Sequence, residues 1–558
     1  MAGEAAPRLF IVEFDLADRS SHFFNQVLGF KLAAEQRGMT PCVLLPKGVD
    51  PSLADPLSAQ AVIEFEPPAA GSLDYELDAF AEGDKQLRSL WAAIEDRAVS
   101  RDDIVLITSA RPVVIYSLGA WLGRLDRASR PAIFIRFYNH DYLDLATMRY
   151  SDRSWMHRLA SRDLALRPGQ ERVFFTANNE TLITPLGHLC ARRIFYMPIP
   201  KHFGDVSDLS GADADARRPV VYMHVNARTG AVRDHIERVV RTVLSKHPDV
   251  RFLLKDVSGG PAMADLLSAN LIGDVVVLIP PDQSPADHLR IMARSHVVLL
   301  PYEPVEYQAL ASGVFAEGAA LGKVLVCPDG TWMARQLAES RAAGTSFAAP
   351  RAADISAALL QALASLPRLL RDARARSSAF RDEHSCGTNL DMMRKLAGET
   401  HDMRLTYALG STIHFNSDID ARGYLGRGWG SGRPHGFWTE GPLAELFIRC
   451  EPRPGSPINA RILLTPFLSA GHPQAVTISV NGVTLAKWDF PDDEERRPRW
   501  RELTIPANLA ASHEIAMQLH VDHPLSPKQV GLSDDPRALG VLVHEMILTP
   551  EKDPGDVL

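Results

Sequence analysis

The sequence predicts two doubly wound α/β domains in tandem, each on a parallel sheet, followed by an all-β sandwich or jelly roll. Three observations carry this reading. From Arg8 to about residue 397, short apolar runs rich in β-branched residues alternate with helical stretches, as in βα units layered on both faces of a parallel sheet. One polar, small-residue and acidic stretch at 204–218, GDVSDLSGADADARR, interrupts the alternation and reads as a linker or exposed loop. From about Tyr407 helical periodicity stops, and short alternating runs follow a Gly-, Pro- and aromatic-rich segment, the texture of packed antiparallel sheets. The implied domains are 1–203, 204–397 and 398–558.

Bulk properties agree. A chain of 558 residues is too long for one core. Hydrophobic residues at 46% and charged residues at 23% are ordinary for a globular protein. A net charge of −8 argues against a generic nucleic-acid binder. The start, MAGEAAPRLFIVEFDL, lacks the charged and apolar regions of a secretory signal, and no long apolar run predicts a spanning helix. The five cysteines (42, 190, 327, 386 and 450) are scattered, odd in number and without metal-type spacing. They fit a reducing, cytoplasmic setting and argue against a disulfide framework or structural zinc.

In the first domain, Arg8–Phe14, Pro41–Leu45, Asp103–Thr108, Ala132–Phe137, Arg172–Thr176 and Arg193–Met197 read as strands. Helices are expected over about 20–37, 74–97 and 112–127, whereas 47–73 shows little periodicity. Ligands of such sheets bind beyond the carboxyl ends of strands. That rule selects Asp15–His22 after the first strand, and Asn139-His140-Asp141 after the strand at 132–137. His140 with Asp141 reads either as a polar pair that touches a sugar hydroxyl or orients a base, or as a loop histidine in water. For His22 the solvent-exposed reading is the stronger one. No G-x-G-x-x-G follows the first strand, so a dinucleotide fingerprint is absent.

In the second domain, strands are expected at Pro219–Val225, Arg251–Leu254 and Val275–Ile279, with helices at Val232–His247 and Pro285–Ser295. Arg228 and Lys255 then fall just past strand ends. The richest stretch is Val297–Trp332, VVLLPYEPVEYQALASGVFAEGAALGKVLVCPDGTW. It reads as strand, loop, helix and strand, with Ser312 as N-cap and Gly322 just past the helix. A helix start in a strand-edge loop offers N–H groups and partial positive charge to an anion. With Arg228 and Lys255 it would hold a diphosphate. Glu317, on that helix beside Gly318, would accept from a sugar or ribose hydroxyl pair. The alternative is an ordinary crossover with a surface glutamate.

In the last domain, runs at 460–464, 475–480, 483–488, 501–505, 514–521 and 540–548 read as strands, and Asn481-Gly482 as a type I′ hairpin turn. Trp429, Trp438 and Trp488 would stack on sugar rings or serve as core elements, the latter being favoured.

These residues resemble a known family. Pro301-Tyr302, Ser312-Gly313, Glu317 and Gly322–Val326 fall where the retaining GT-B glycosyltransferases of family four ("glycosyl transferases group 1") carry their donor-site motif, at the end of the second of two Rossmann-like domains. The resemblance implies Arg228, Lys255, Tyr302, Tyr307, Ser312, Gly313, Val314 and Glu317 as the donor site. It implies His22, His140 and Asp141 on the acceptor side, and His140, Arg228, Lys255 and Glu317 as catalytic. The first glutamate of the family's E-x7-E motif is replaced by Ala309, with Tyr307, Glu306 and Glu303 nearby. The implied activity is transfer from a nucleotide-diphosphate sugar to a glycan, lipid-linked or protein acceptor, with retention and without metal or other cofactor. It suits bacterial polysaccharide biosynthesis, with peripheral membrane association compatible. The alternatives are an inactive sugar- or nucleotide-binding scaffold on the same fold, and an epimerase or phosphorylase. The last domain resembles β-sandwich modules appended to bacterial polysaccharide enzymes, through Gly428-Trp429, Gly436–Gly441, Ser526-Pro527 and Gly531–Arg537. That implies a glycan or protein contact.

Overall fold

The computed structural model describes residues 6–18, 22–65, 73–138, 142–144, 149–151, 154–204, 218–226, 229–258, 263–281, 283–416, 421, 423–430, 435–450, 456–491, 497–512 and 514–551. The chain forms two compact units. Unit 1 is Met1–His140, Asp163–Leu182 and Phe195–His401, and unit 2 is Asp141–Arg162, Ile183–Ile194 and Asp402–Leu558. The segments 141–162 and 183–194 therefore group with the C-terminal part rather than with the α/β part that surrounds them in sequence.

Unit 1 carries two sheets of Rossmann type. The first runs β3-β2-β1-β4-β5-β6-β7, with β1 Arg8–Val12, β2 Thr40–Pro46, β3 Gln60–Ile63, β4 Ile104–Ile107, β5 Ala132–Phe137, β6 Val173–Ala177 and β7 Ile194–Tyr196. Pairing from β3 through β6 is parallel. Every residue of β4, β5 and β6 is buried, which is why these strands read as nearly continuous apolar runs, broken only by Arg136 and Thr176, rather than alternating ones. The aperiodic stretch expected at 47–73 instead holds the helix Pro51–Leu57, capped by the Asp50 side chain, and β3. Both are too short to show a period. The helix expected to reach Arg127 stops at Leu122, and a separate 3-10 turn covers Arg127–Ser129.

The second sheet is parallel throughout, in the order β10-β9-β8-β11-β12-β13. Its strands are β8 Val220–Asn226, β9 Arg251–Val257, β10 Val276–Ile279, β11 Val297–Leu299, β12 Val324–Pro328 and β13 Gly344–Phe347. Alternate residues feed two cores. Val221, Met223, Val297, Leu299, Val324 and Val326 face one, and Tyr222, Val298 and Leu325 face the other. β9 runs three residues further than expected, so Lys255 and Asp256 lie within the strand rather than after it. In both sheets the strand order reverses about the first strand, between β1 and β4 and between β8 and β11. Such reversals open a crevice at the strands' carboxyl ends, the usual ligand position in this fold class.

In unit 2 two antiparallel sheets share one hydrophobic core. One comprises Thr412–His414, Phe437–Glu440, Ile458–Pro466, Arg499–Ile505 and Leu539–Pro550, and the other Leu443–Arg449, Gln474–Val480, Val483–Phe490 and Glu514–Val521. Asn481 (φ 49°) and Gly482 (φ 81°) make the expected turn, since type I′ requires positive φ at both positions. The tryptophans are packing elements. Trp429 donates from Nε1 to the Glu445 carbonyl at 2.7 Å, Trp438 meets Phe467 edge-on, and Trp488 lies against the core. Arg537 pairs with Asp535 and Glu440. The five cysteines are free thiols. No single described helix is long and apolar enough to cross a membrane.

Gly344 pairs with Leu325, and a Cβ there would sit 1.8 Å from the Leu325 carbonyl oxygen. Gly344→Ala is therefore expected to destabilise unit 1 by about 3 kcal/mol, at the upper end for overpacking. Denaturant unfolding checks this, and an unchanged midpoint would show that β13 moves aside freely.

Candidate functional site

The crevice between β8 and β11 is lined from both sides. After β11 the chain passes Tyr302 and Tyr307 and reaches the helix Gly313–Ala320. Ser312 caps that helix by accepting from the Phe315 N–H at 3.2 Å, and Gly322, at φ 66°, follows its end. The expected caps are thus in place. The amides of Gly313 and Val314, in the first turn, have no acceptor within the helix. Tyr302 and Tyr307 stack at 4.6 Å. Tyr302 Oη lies 2.8 Å from His224 Nδ1, and Tyr307 Oη accepts from Asn226 Nδ2 at 3.0 Å. Both tyrosines are buried, so their rings tie the loop after β11 to the end of β8. Burial pushes His224 down to about 3, which keeps its imidazole neutral. Gly318 does not open a path for a ligand, because a Cβ there would meet Leu325 and Val298 of the sheet beneath.

Glu317 is no surface carboxylate. Its side chain is 13% exposed, with Oε1 2.6 Å from Lys201 Nζ and Oε2 3.0 Å from His288 Nε2. Burial by itself would raise this carboxyl. The Lys201 ammonium and then His288 outweigh it and hold Glu317 well below the usual carboxylate range. His288 Nδ1 in turn lies 3.4 Å from both Lys255 Nζ and Tyr222 Oη. A buried chain Lys201–Glu317–His288–Lys255 therefore crosses the crevice, and the Lys201 ammonium also lies against Gly313. Sequence reasoning found Glu317 and Lys255 and missed the other two. Lys201 follows Pro198-Ile199-Pro200, a stiff run that fixes its direction but spells no motif. His288 lies in the helix Pro285–Ala293 with nothing to set it apart. Arg228, His140 and Asp141 lie outside the described residues.

The corresponding crevice of the first sheet holds a second polar cluster. Asp15, after β1, pairs with Arg111, after β4. Beneath them Glu13 is fully buried, and its Oε1 accepts from the Asp15 N–H at 2.6 Å. Four buried atoms here, Glu13 Oε2, Asp15 Oδ2, Ser109 Oγ and Arg111 Nε, have no hydrogen-bond partner among the described residues. Orphaned buried polar atoms are few in native proteins, and several together mark a place that water or a polar ligand completes. Burial pushes the Glu13 carboxyl up to about 7, against the opposing hydrogen bond from Thr108. His22 starts the helix His22–Gln36, is exposed and stacks on Tyr138 at 4.9 Å. Among the described residues no group of three or more His, Cys, Asp or Glu side chains is arranged to hold a metal ion.

No protein-family model matches the chain, and no curated protein does. Solved structures similar to it include a glycosyltransferase from Rickettsia africae ESF-5, at 14% identity and a TM-score of 0.48, covering 70% of this chain and 99% of that one. Another is Anabaena Alr3699/HepE in complex with UDP and glucose, at 12% identity and a TM-score of 0.46, covering 70% and 100%. A third is the sucrose-phosphate synthase (tll1590) of Thermosynechococcus elongatus, at 13% and 0.45, covering 70% and 98%. Likeness at this level assigns no residue of this chain a role.

Two stability measurements test the site's electrostatics. Lys201→Met leaves a buried carboxylate short of its cation, which should cost about 3–5 kcal/mol near neutral pH. Because the folded-state value of Glu317 is depressed, its stabilisation exists above the unfolded carboxylate value and is lost as pH falls through the folded one. The difference between wild type and variant should shrink on acidification, and a pH-independent difference would remove the ion pair as its cause. Glu13 has the opposite sign. Its folded value is raised from 4.5 to about 7, so wild type loses stability as pH rises between those values. Glu13→Gln should match wild type near the lower value and exceed it above the upper one by about 3 kcal/mol, as read from denaturant midpoints across pH.

Proposed function

We propose that unit 1 is a glycosyltransferase using a nucleotide-diphosphate sugar. The observation that carries this reading is the buried Lys201–Glu317–His288–Lys255 chain across the crevice of the second sheet, beside a Ser312-capped helix start. The diphosphate lies against the Gly313 and Val314 amides and the Lys201 ammonium. Negative charge building on the departing diphosphate is met there by donors already in place, which is where preorganised electrostatics lower a barrier. Each Glu317 oxygen spends one acceptor position on Lys201 or His288 and keeps another for a ribose hydroxyl. The acceptor enters at the first sheet's crevice, where Asp15, Ser109 and Arg111 offer hydrogen bonds. In the transfer the bond from the anomeric carbon to the diphosphate oxygen breaks, the bond to the acceptor hydroxyl oxygen forms, and the hydroxyl proton leaves with the diphosphate. Retention of configuration follows from the resemblance of Val297–Trp332 to the family-four donor motif, and we carry it as part of the proposal.

A second reading, an inactive binding scaffold, is favoured by one position. Ala309 stands where a sugar-contacting glutamate is expected, and it is buried. Calorimetric titration with UDP-, GDP-, ADP- and dTDP-sugars separates the readings. One donor should bind, and Glu317→Ala, Lys255→Ala and Lys201→Ala should each weaken it by about tenfold or more, the loss of one charge-assisted contact. Donor hydrolysis or transfer to an extracted acceptor then marks an enzyme, and binding without turnover marks the scaffold. If no donor binds, the glycosyltransferase reading fails.

A further inference from the structure

Lys201, whose ammonium pairs with Glu317 at 2.6 Å and lies against Gly313, stands on a backbone held from both edges. On one edge its N–H donates to the His384 carbonyl at 2.8 Å, and its carbonyl accepts from the Cys386 N–H at 3.2 Å, in a parallel bridge to Ser385. His202, next along, is held on the other edge by a single side chain. Asn25 Oδ1 accepts from the His202 N–H at 2.9 Å, and Asn25 Nδ2 donates to the His202 carbonyl at 2.7 Å. A carboxamide suits this task because it carries a donor and an acceptor side by side. Asn25 is 6% exposed and lies in the helix His22–Gln36, which packs on the first sheet. One turn further along that helix, Gly29 lets it approach closely. A Cβ there would sit 2.8 Å from His202 Cβ and 2.5 Å from Cys386 Sγ.

We propose that Asn25 is a positioning residue for the nucleotide-diphosphate donor. It fixes the backbone from which Lys201 reaches the diphosphate, so a helix packed on the first sheet tunes a site at the edge of the second. The inference rests on the donor reading of unit 1. A lysine carries its charge on a flexible four-carbon stem. Such an ammonium is preorganised only where the start of the stem is itself held. The bridge to Ser385 holds one edge of that start, and the Asn25 carboxamide with the close approach at Gly29 holds the other. Released on the Asn25 edge, the segment drifts, and the ammonium meets the diphosphate less often in the productive place. Asn25 touches no donor atom in this scheme and acts through Lys201 alone.

The test is a double-mutant cycle on the full chain, read by calorimetric titration. UDP, GDP, ADP and dTDP are tried, and the one that binds wild type most tightly is followed. The cycle comprises wild type, Asn25→Ala, Lys201→Ala and the double variant, and thermal unfolding shows that each is folded at the titration temperature. Asn25→Ala should weaken the nucleotide by about three- to tenfold, and by no more than Lys201→Ala does. With Lys201→Ala already in place it should change nothing further, because residues that act through one another are not additive. A merely structural role would add the same loss in both backgrounds. Gly29→Ala, which presses on His202, gives a second cycle with Lys201→Ala where Asn25→Ala does not fold, and the same pattern is expected. The inference is overturned if neither Asn25→Ala nor Gly29→Ala changes the affinity, or if the loss is equal with and without Lys201. Either result leaves the donor reading standing when Lys201→Ala weakens binding. If no nucleotide binds wild type, or Lys201→Ala binds it unchanged, the place of Lys201 in the donor site fails and the inference falls with it.

Discussion

A charged carboxylate buried in a protein has to be answered by other charges, and in unit 1 that requirement falls on Glu317. Its two oxygens are met by Lys201 and His288, and His288 reaches on to Lys255 and Tyr222. These residues come from the segment leading into the second sheet, from β8 and β9, and from two of its helices. Breaking such a pair costs more than forming it returns, because the remaining charge is stranded. The crevice is therefore held in one arrangement by electrostatics, while the two apolar cores on either face of the sheet hold the strands themselves.

The two crevices of unit 1 make an instructive contrast. In the second sheet every member of the charged chain has a partner, and the carboxylate is held ionised. In the first sheet Glu13 has one oxygen satisfied and one without a partner among the described residues, and its carboxyl is pushed up to about 7. The second sheet's crevice is a preorganised electrostatic environment for a charged ligand, and the first sheet's leaves hydrogen-bonding capacity for a neutral, hydroxyl-rich one. That division suits a donor carrying a diphosphate and an acceptor carrying hydroxyls.

What could be read from the chain was what local chemistry decides. Ser312 and Gly322 close their helix as expected, Asn481-Gly482 turns its hairpin, and apolar runs became buried strands. The misses have physical causes. Lys255 read as a post-strand cation because its polarity looked like a strand end, yet β9 continues to Val257. Tyr302 and Tyr307, expected at the donor site, also tie their loop to β8 through His224 and Asn226, contacts that no local pattern foretells. Lys201 and His288 act through a residue remote from both in sequence, Glu317. No spacing rule could single them out, because a buried ion pair is a property of the folded neighbourhood.

The segmented make-up of unit 2 bears on how this chain is synthesised. Segments 141–162 and 183–194 leave the ribosome long before residue 402, yet their compact unit includes everything from there onward. The backbone of Arg193 bonds to Met403, and His188 meets Tyr424 edge-on. Until those later residues emerge, the early segments have only each other as partners in their own unit, as where Tyr150 Oη donates to the Pro185 carbonyl at 2.8 Å. Unit 1 has no such dependence beyond His401. A ribosome stalled near the end of the α/β part would thus hold a chain with unit 1 complete in sequence and two early strips still without the rest of their unit, a vulnerable interval in which chaperones would have the most to do.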